Sequence, residues 1–455
     1  MANRTAVIDL VALTDTQLQH MPRLTSLLTS GSRCRLQPPL PAVTCTSQST
    51  MLTGSPPASH GIVGNGWYNR TTAETRLWQQ SNHLVQGEKI WDRLRRMDPE
   101  ITIANCFWWY AMYADVDATV TPRPMYLADG RKMPDIWTAP STLRDELQTK
   151  LGQFPLFRFW GPAADISGSR WIADAARHVD ITIDPTLLLV YLPHLDYGLQ
   201  KLGPTHPDMP RECRLLDELA ADLIEDLQGR GRRILIVNEY GIAPVTGDVS
   251  PNRELRSHGF LQVRNEKGRE LLDAGASRAF AIADHQIAHV YVSKNTSLPE
   301  VCECLAQLDG VDHILVGESI KEAELDHERC GDIVLIATQG RWFSHDWWND
   351  SDQAPDWQRT VEIHRKPGYD PRELFIDPAI RFPKFAIAWR LLKRRLGLRT
   401  LLDVIPLDAS LVRGSHGRVD PDLDPLLWCS EDMPMPDRLP MTGVADLIEQ
   451  LVLSE

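Results

Sequence analysis

Thr44 lies in the run Leu40-Pro41-Ala42-Val43-Thr44-Cys45-Thr46-Ser47-Gln48-Ser49-Thr50-Met51-Leu52-Thr53-Gly54, and His60-Gly61-Ile62-Val63-Gly64-Asn65 follows closely. This arrangement puts a hydroxyl nucleophile in a turn and an amide side chain, Asn65, a short way downstream. The first apolar run, Thr5-Ala6-Val7-Ile8, ends in Asp9. Two later apolar runs, Leu187–Leu192 and Ile234–Val237, lead to Asp196 and to Glu239. A hydroxyl, an amide and several carboxylates near strand ends are the parts of a metal-assisted phosphoryl-transfer site.

The elements that must position these groups follow from periodicity. Thr5–Asp9, Ile101–Asn105, Leu187–Leu192 and Ile234–Val237 read as strands. Asp15–Ser30, residues 45 to 53, Glu88–Arg96 and Arg211–Leu227 read as helices. A helix directly after Thr44 aims its N-terminal amides and partial positive charge at a phosphate. Alternating strands and helices predict an α/β fold, and open α/β sheets hold ligands beyond the carboxyl ends of their strands. We expect a three-layer α/β/α sandwich with a mostly parallel sheet, built from residues 1–249 and 376–455. Residues 250–375 are expected to form a smaller inserted α+β cap.

The 455 residues suffice for a large core and a second lobe, and 43% apolar content suits a globular chain. A net charge of −13 disfavours binding to a nucleic acid polymer. The opening Met1-Ala2-Asn3-Arg4 runs straight into a strand, no apolar run approaches ~18 residues, and eight cysteines show no paired framework. These features predict a cytoplasmic protein with reduced thiols. Cys45 invites a sulfatase reading, but the C-x-P-x-R motif has Ser47 and Ser49 at its last two defined positions here, so that reading fails.

Joined to the preceding T-x8-T-G, the His60–Asn65 segment resembles the type I phosphodiesterase/nucleotide pyrophosphatase branch of the alkaline phosphatase superfamily. Further anchors come in the family's order. Asp196 to Gly203-Pro204 corresponds to D-x-x-x-H-x-x-G-P, Asn238-Glu239-Tyr240-Gly241 to S-D-H-G, and Gly414-Ser415-His416-Gly417 to G-x-H-G. The resemblance implies that Thr44 attacks phosphorus and that Asn65 contacts a phosphoryl oxygen. It also implies two divalent cations (Zn, Mn or Mg), with Asp9, Thr44, Glu239 and Tyr240 around one and Asp196, Gln200 and His416 around the other. Gln200 and Tyr240 replace imidazoles and Glu239 replaces an aspartate. Fewer imidazoles and more oxygens favour Mg, Mn or Ca over Zn. His194, His285 and His289 are candidates for a missing imidazole, although each also suits a structural role.

The expected activity is hydrolysis of a small-molecule phosphate ester through a covalent phospho-threonine. Two alternatives stay open. One is a phosphotransferase or phosphonate hydrolase acting on a small alcohol or a lipid-like substrate. The other is a non-catalytic phospho-metabolite binder with a degenerate metal site. Arg365 and Lys366, near Trp347 and Trp348, are candidates for gripping an anionic substrate, while the tryptophans themselves suit a domain interface. Pro383–Leu402 carries Phe385, Leu391 and Leu396 among Lys384, Lys393, Arg395 and Arg399. Peripheral contact with an anionic membrane is one reading of it, and a core-packed helix with a basic solvent face is the preferred one. Ser257-His258-Gly259 reads as a helix end rather than a ligand motif.

Overall fold

A strand that is apolar at every position, rather than at alternate ones, needs cover on both faces. Leu187–Leu192 is such a strand, and Thr5–Leu10 and Arg233–Val237 are apolar at all positions but Thr5, Asp9 and Arg233. The computed structural model, which describes residues 2–128, 131–398 and 400–454, buries them in the middle of one sheet. Thr5–Leu10 pairs in parallel with both of the others. Parallel Ile103–Cys106 and Ala118–Pro122 extend the sheet past Leu187–Leu192, and antiparallel Ile136–Ala139 ends it. On the opposite side come Leu426–Cys429, Ser32–Gln37 and Arg438–Pro440, which complete nine strands.

Helices cover both faces. Ile166–Thr182 and Met209–Gly229 pack together on one side. Thr44–Thr53, Ile90–Met97 and Val444–Leu453 pack together on the other. Met209–Gly229 turns Leu216, Leu219, Leu223 and Leu227 inward, as its period requires. The result is the expected three-layer α/β/α sandwich. The expected helix Asp15–Ser30 is instead two short helices, Asp15–Leu18 and Pro22–Leu27. Pro22 is the reason: its ring forces Met21 out of the helical region, to φ −124° and ψ 73°.

A second, antiparallel sheet orders Ala279–Asp284, Ile287–Val292, Ile333–Ala337 and Val311–Val316 side by side. It has its own core, in which Trp347 and Trp348 are fully buried beside Phe280, Tyr291 and Phe343. Tyr68, from the hairpin Gly66–Asn69/Glu74–Leu77, packs edge-on against Phe280 at 4.9 Å between ring centres.

A buried ion network fixes the segment that follows. Arg372 meets Asp346 at 2.7 Å and Asp370 at 2.6 Å, and Lys366 meets Asp370 and Glu373 at 2.8 Å each. Burial pushes the Asp370 carboxyl up, but Arg372 and Lys366 outweigh it and hold that carboxyl far below the usual carboxylate range. Lys366 therefore has no charge to spare for a substrate, contrary to expectation. Its ammonium is consumed by two buried carboxylates.

The expectation for Pro383–Leu402 is overturned. Pro383–Arg395 is a helix, but none of its residues is buried. Its apolar side chains find no core to enter, because the sheet faces are already covered by other helices. Arg399 lies outside the described residues. Among the described residues no helix is long and apolar enough to cross a membrane. His258 follows the helix Pro251–Ser257, and Gly259 has φ +74°, a helix stop.

Removing one partner of a buried ion network strands the other charges. Arg372→Leu should destabilise the fold by about 3–5 kcal/mol, read as a lowered thermal unfolding midpoint. Arg372→Lys should recover part of the loss.

Candidate active site

Three neighbouring parallel strands deliver three carboxylates to one edge of the sheet. Asp9 is near the end of Thr5–Leu10, Glu239 lies just past Arg233–Val237, and Asp196 lies in the helix His194–Leu202 that follows Leu187–Leu192. Thr44 is the first residue of the helix Thr44–Thr53, which ends where Gly54 adopts φ +65°. Thr44, Asp9, Asp196, Glu239, Tyr240, Gln200, Asn65 and His416 are all buried.

A chain of hydroxyls runs from the threonine to a carboxylate. The Tyr240 hydroxyl donates to Asp196 Oδ1 at 3.2 Å and lies 3.0 Å from Thr44 Oγ1. Tyr240 has a single proton and gives it to Asp196, so the Thr44 hydroxyl donates to Tyr240. The Tyr240 ring stacks flat on His416, with 3.5 Å between centres and 7° between planes. His416 Nδ1 is 2.8 Å from the Ala42 carbonyl, which fixes the ring. His285 lies tilted against His416 at 3.6 Å and stacks against Tyr369 at 3.7 Å. Thus, of the three spare histidines, His285 joins the site. His194 faces Glu212 at 3.1 Å, and His289 meets the Val63 carbonyl at 2.8 Å.

Asn65 holds the start of the helix Thr44–Thr53. Its Oδ1 accepts the Cys45 amide at 3.0 Å, while its Nδ2 and backbone N–H both donate to Asp284, at 3.0 and 2.7 Å. The Cys45 N–H, one of the amides at the start of that helix, is therefore taken. Asn65 Nδ2 keeps a second hydrogen. Burial pushes the Cys45 thiol well up, which removes it as a rival nucleophile.

The electrostatics are those of crowded carboxylates out of water. Burial, then the charge of Glu239, pushes Asp9 well above the usual carboxylate range. Burial pushes Glu239 up to about 7, against hydrogen bonds that favour its anion. Burial likewise brings Asp196 up to about 7, moderated by the Gln200 amide. His416 is held down to about 3 by burial, which keeps its imidazole neutral.

The donor sets differ in how well they suit cations. Gln48 donates its amide to Asp9 Oδ2 at 3.2 Å and to Glu239 Oε1 at 2.5 Å. The other oxygens, Asp9 Oδ1 and Glu239 Oε2, are buried with no hydrogen-bond partner. Two orphaned carboxylate oxygens near a threonine hydroxyl fit one hard cation. Around Asp196 the fit fails. Its Oδ2 accepts from Gln200 Nε2 at 2.8 Å and its Oδ1 from Tyr240, while Gln200 Oε1 is spent on the Tyr369 hydroxyl at 2.8 Å. Only His416 Nε2, 3.9 Å from Asp196 Oδ1, has no partner there. Of the two expected metal sites, the residues suit the first and not the second. Among the described residues the one group of three close His, Cys, Asp or Glu ligands is Glu254, His258 and Cys304, none of which belongs to this constellation.

Gln48, Asp284 and Tyr369 belong to the site but were not expected. Gln48 carried a readable signal, because position i+4 shares a helix face with Thr44. Asp284 and Tyr369 come from the second sheet and the loop behind the ion network, and nothing local marks them. Thr44 opens onto a cavity of about 540 Å³ whose walls include Trp78, Trp109, Trp160 and Tyr369. Arg365 also lines it, while Lys366 does not.

Burial of the Asp9 carboxyl, and then its repulsion by Glu239, costs stability at neutral pH. In chelator-treated protein, Asp9→Asn should raise stability by about 1 kcal/mol or more, read by thermal unfolding, while abolishing any activity. An unchanged or lowered midpoint would show that no such cost exists.

Comparison with known proteins places this geometry. A family model described as Type I phosphodiesterase / nucleotide pyrophosphatase matches residues 5–370. An uncharacterized pyrophosphatase/phosphodiesterase of Schizosaccharomyces pombe is 25% identical over 221 residues, which is 46% of this chain and 38% of that protein. The chain thus matches well under half the length of that relative. Phosphonoacetate hydrolase from Sinorhizobium meliloti 1021, solved with phosphonoacetate, has the same fold, with a TM-score of 0.63 at 15% identity over 99% of this chain and 96% of that one. Murine ectonucleotide pyrophosphatase / phosphodiesterase 5, solved as an inactive threonine-to-alanine variant with AMP, gives a TM-score of 0.57 at 12% identity over 99% and 95%. With the match running from the first strand into the ion network, the chain belongs to the type I phosphodiesterase/nucleotide pyrophosphatase family.

Proposed function

We propose that this protein hydrolyses a small-molecule phosphate ester by attack of the Thr44 hydroxyl on phosphorus. The observation that carries the reading is the hydrogen-bonded chain Thr44–Tyr240–Asp196 at the wall of an open cavity. As the Thr44 oxygen bonds to phosphorus, its proton passes to Tyr240 and the Tyr240 proton to Asp196. The bond from phosphorus to the leaving oxygen breaks on the far side, towards the cavity. That oxygen takes a proton from solvent. Water then cleaves the phospho-threonine, and Thr44 regains its proton from the same relay. The remaining Nδ2 hydrogen of Asn65 stabilises charge on a phosphoryl oxygen. The inactive threonine variant of the murine relative supports this role for Thr44.

A divalent cation held by Asp9, Glu239 and Thr44 would lower the pKa of the hydroxyl and neutralise phosphoryl charge. The all-oxygen donor set supports Mg or Mn rather than Zn. We infer one cation per chain, with Tyr240 and Gln200 bonded to Asp196 where the family resemblance implies a second. All eight cysteines are free thiols, which supports a reducing compartment such as the cytoplasm. A non-catalytic binding role draws support from Gln48, whose amide takes up one oxygen each of Asp9 and Glu239.

Turnover separates the two readings. With Mn or Mg present, wild type should cleave a phosphodiester or monoester, and Thr44→Ala should abolish both turnover and labelled phospho-protein. Turnover equal to that of Thr44→Ala would leave the binding role. Asn65→Ala should lower kcat about 10²–10³-fold. Elemental analysis should find one Mn per chain, lost in Glu239→Gln and kept in His416→Ala. Loss in both variants would restore the two-cation site.

A further inference from the structure

The helix Pro383–Arg395 has two apolar faces, and only one of them touches the protein. Ile387, Leu391 and Arg394, spaced i, i+4 and i+7, line the mouth of the Thr44 cavity. Phe385, Trp389, Leu392 and Leu396, spaced i, i+4, i+7 and i+11, form a stripe on the opposite side. That stripe is open to solvent: Phe385 is 72% exposed, Trp389 49% and Leu396 70%. Around the same mouth Tyr126, Phe157 and Leu401 are also more than half exposed. An apolar rim this continuous is rare on a surface that meets only water.

Charge identifies what covers it. The stretch from Pro378 to Leu402 contains no Asp or Glu and seven Lys or Arg, in a chain whose net charge is −13. Among the described residues, Lys384, Lys393, Arg394 and Arg395 have no carboxylate partner, while Arg390 pairs with Asp403 at 2.6 Å. Lys393 flanks the apolar stripe on one side, and Lys384 and Arg395 flank it on the other. An apolar stripe between rows of cations is the pattern of a helix lying in the plane of an anionic bilayer.

We propose that Pro383–Arg395 docks on an anionic phospholipid surface, and that the cavity beside it takes from that surface an amphiphilic phosphate ester. Its phosphate reaches Thr44 and its apolar tail lies along Trp109, Trp160, Ile387, Leu391 and Leu402. The docking half stands on the helix alone. The substrate half rests on the hydrolase reading above.

Flotation with vesicles of phosphatidylcholine and phosphatidylglycerol tests the docking. Wild type should float with mixed vesicles, bind pure phosphatidylcholine about tenfold more weakly or worse, and detach as salt rises. Phe385→Ser/Trp389→Ser and, separately, Lys384→Glu/Lys393→Glu/Arg395→Glu should each lose about tenfold or more in binding. Neither set touches the cavity, so hydrolysis of a soluble phosphodiester should stay at the wild-type rate in both. Hydrolysis of a vesicle-borne phosphodiester should fall about tenfold in both. Failure of wild type to float, or equal flotation of all three proteins, overturns the proposal. So does a wild-type dimer in solution that Phe385→Ser/Trp389→Ser converts to monomer, because the stripe is then an interface between copies. If wild type floats but cleaves neither ester, docking holds and the hydrolase reading fails. If it cleaves the soluble ester but not the vesicle-borne one, the hydrolase reading holds and the substrate assignment fails.

Discussion

Asp9, Glu239 and Asp196 lie buried along one edge of the sheet, where water cannot screen their charges. Desolvation alone pushes such groups towards their neutral forms, and mutual repulsion adds to it. The surroundings act against both effects. Gln48 donates to two of the carboxylates, Gln200 and Tyr240 donate to the third, and the helix Thr44–Thr53 begins beside them. The three central strands can bring the acids this close only because they run parallel and in adjacent positions.

The same economy of hydrogen bonds explains the departures from the family pattern. An imidazole at position 240 would have offered a nitrogen lone pair. Tyr240 instead offers a hydroxyl that accepts from Thr44 and donates to Asp196, and its ring covers His416. Gln200 spends both ends of its amide, one on Asp196 and one on Tyr369. Tyr369 adjoins the buried ion network of Lys366, Asp370, Arg372 and Glu373 in sequence, so the second lobe meets the candidate site through Tyr369 as well as through Asp284 and His285.

Beyond Thr44 the polar edge gives way to aromatic and aliphatic walls. Polar side chains, among them Gln80, Lys132, His364 and Arg365, are interspersed there with many surfaces that can bury an apolar ligand. The exposed helix at the cavity mouth continues that apolar character to the outside. Site and surface therefore form one gradient, from three carboxylates to a membrane-like rim.

By itself the sequence determined the strands and the helix that frame the candidate site. The run Leu187–Leu192, apolar throughout, can only be a strand covered on both faces, and it appears with the expected bounds. Thr44 before a helix, Asp9 at a strand end and Asp196 after another are local statements, because each depends on the residues beside it. Pro22 was equally legible as a helix break, yet the apolar spacing around it outweighed that signal. Tertiary structure alone decided which partners those groups meet. Asp284 is 219 residues from Asn65 and Tyr369 is 169 from Gln200, and no periodicity connects them. Lys366 looked available and is consumed in a network, while Pro383–Arg395 looked like core and found none left. Burial and pairing are properties of the whole packing, so a residue's charge or apolar surface does not reveal whether it is already used.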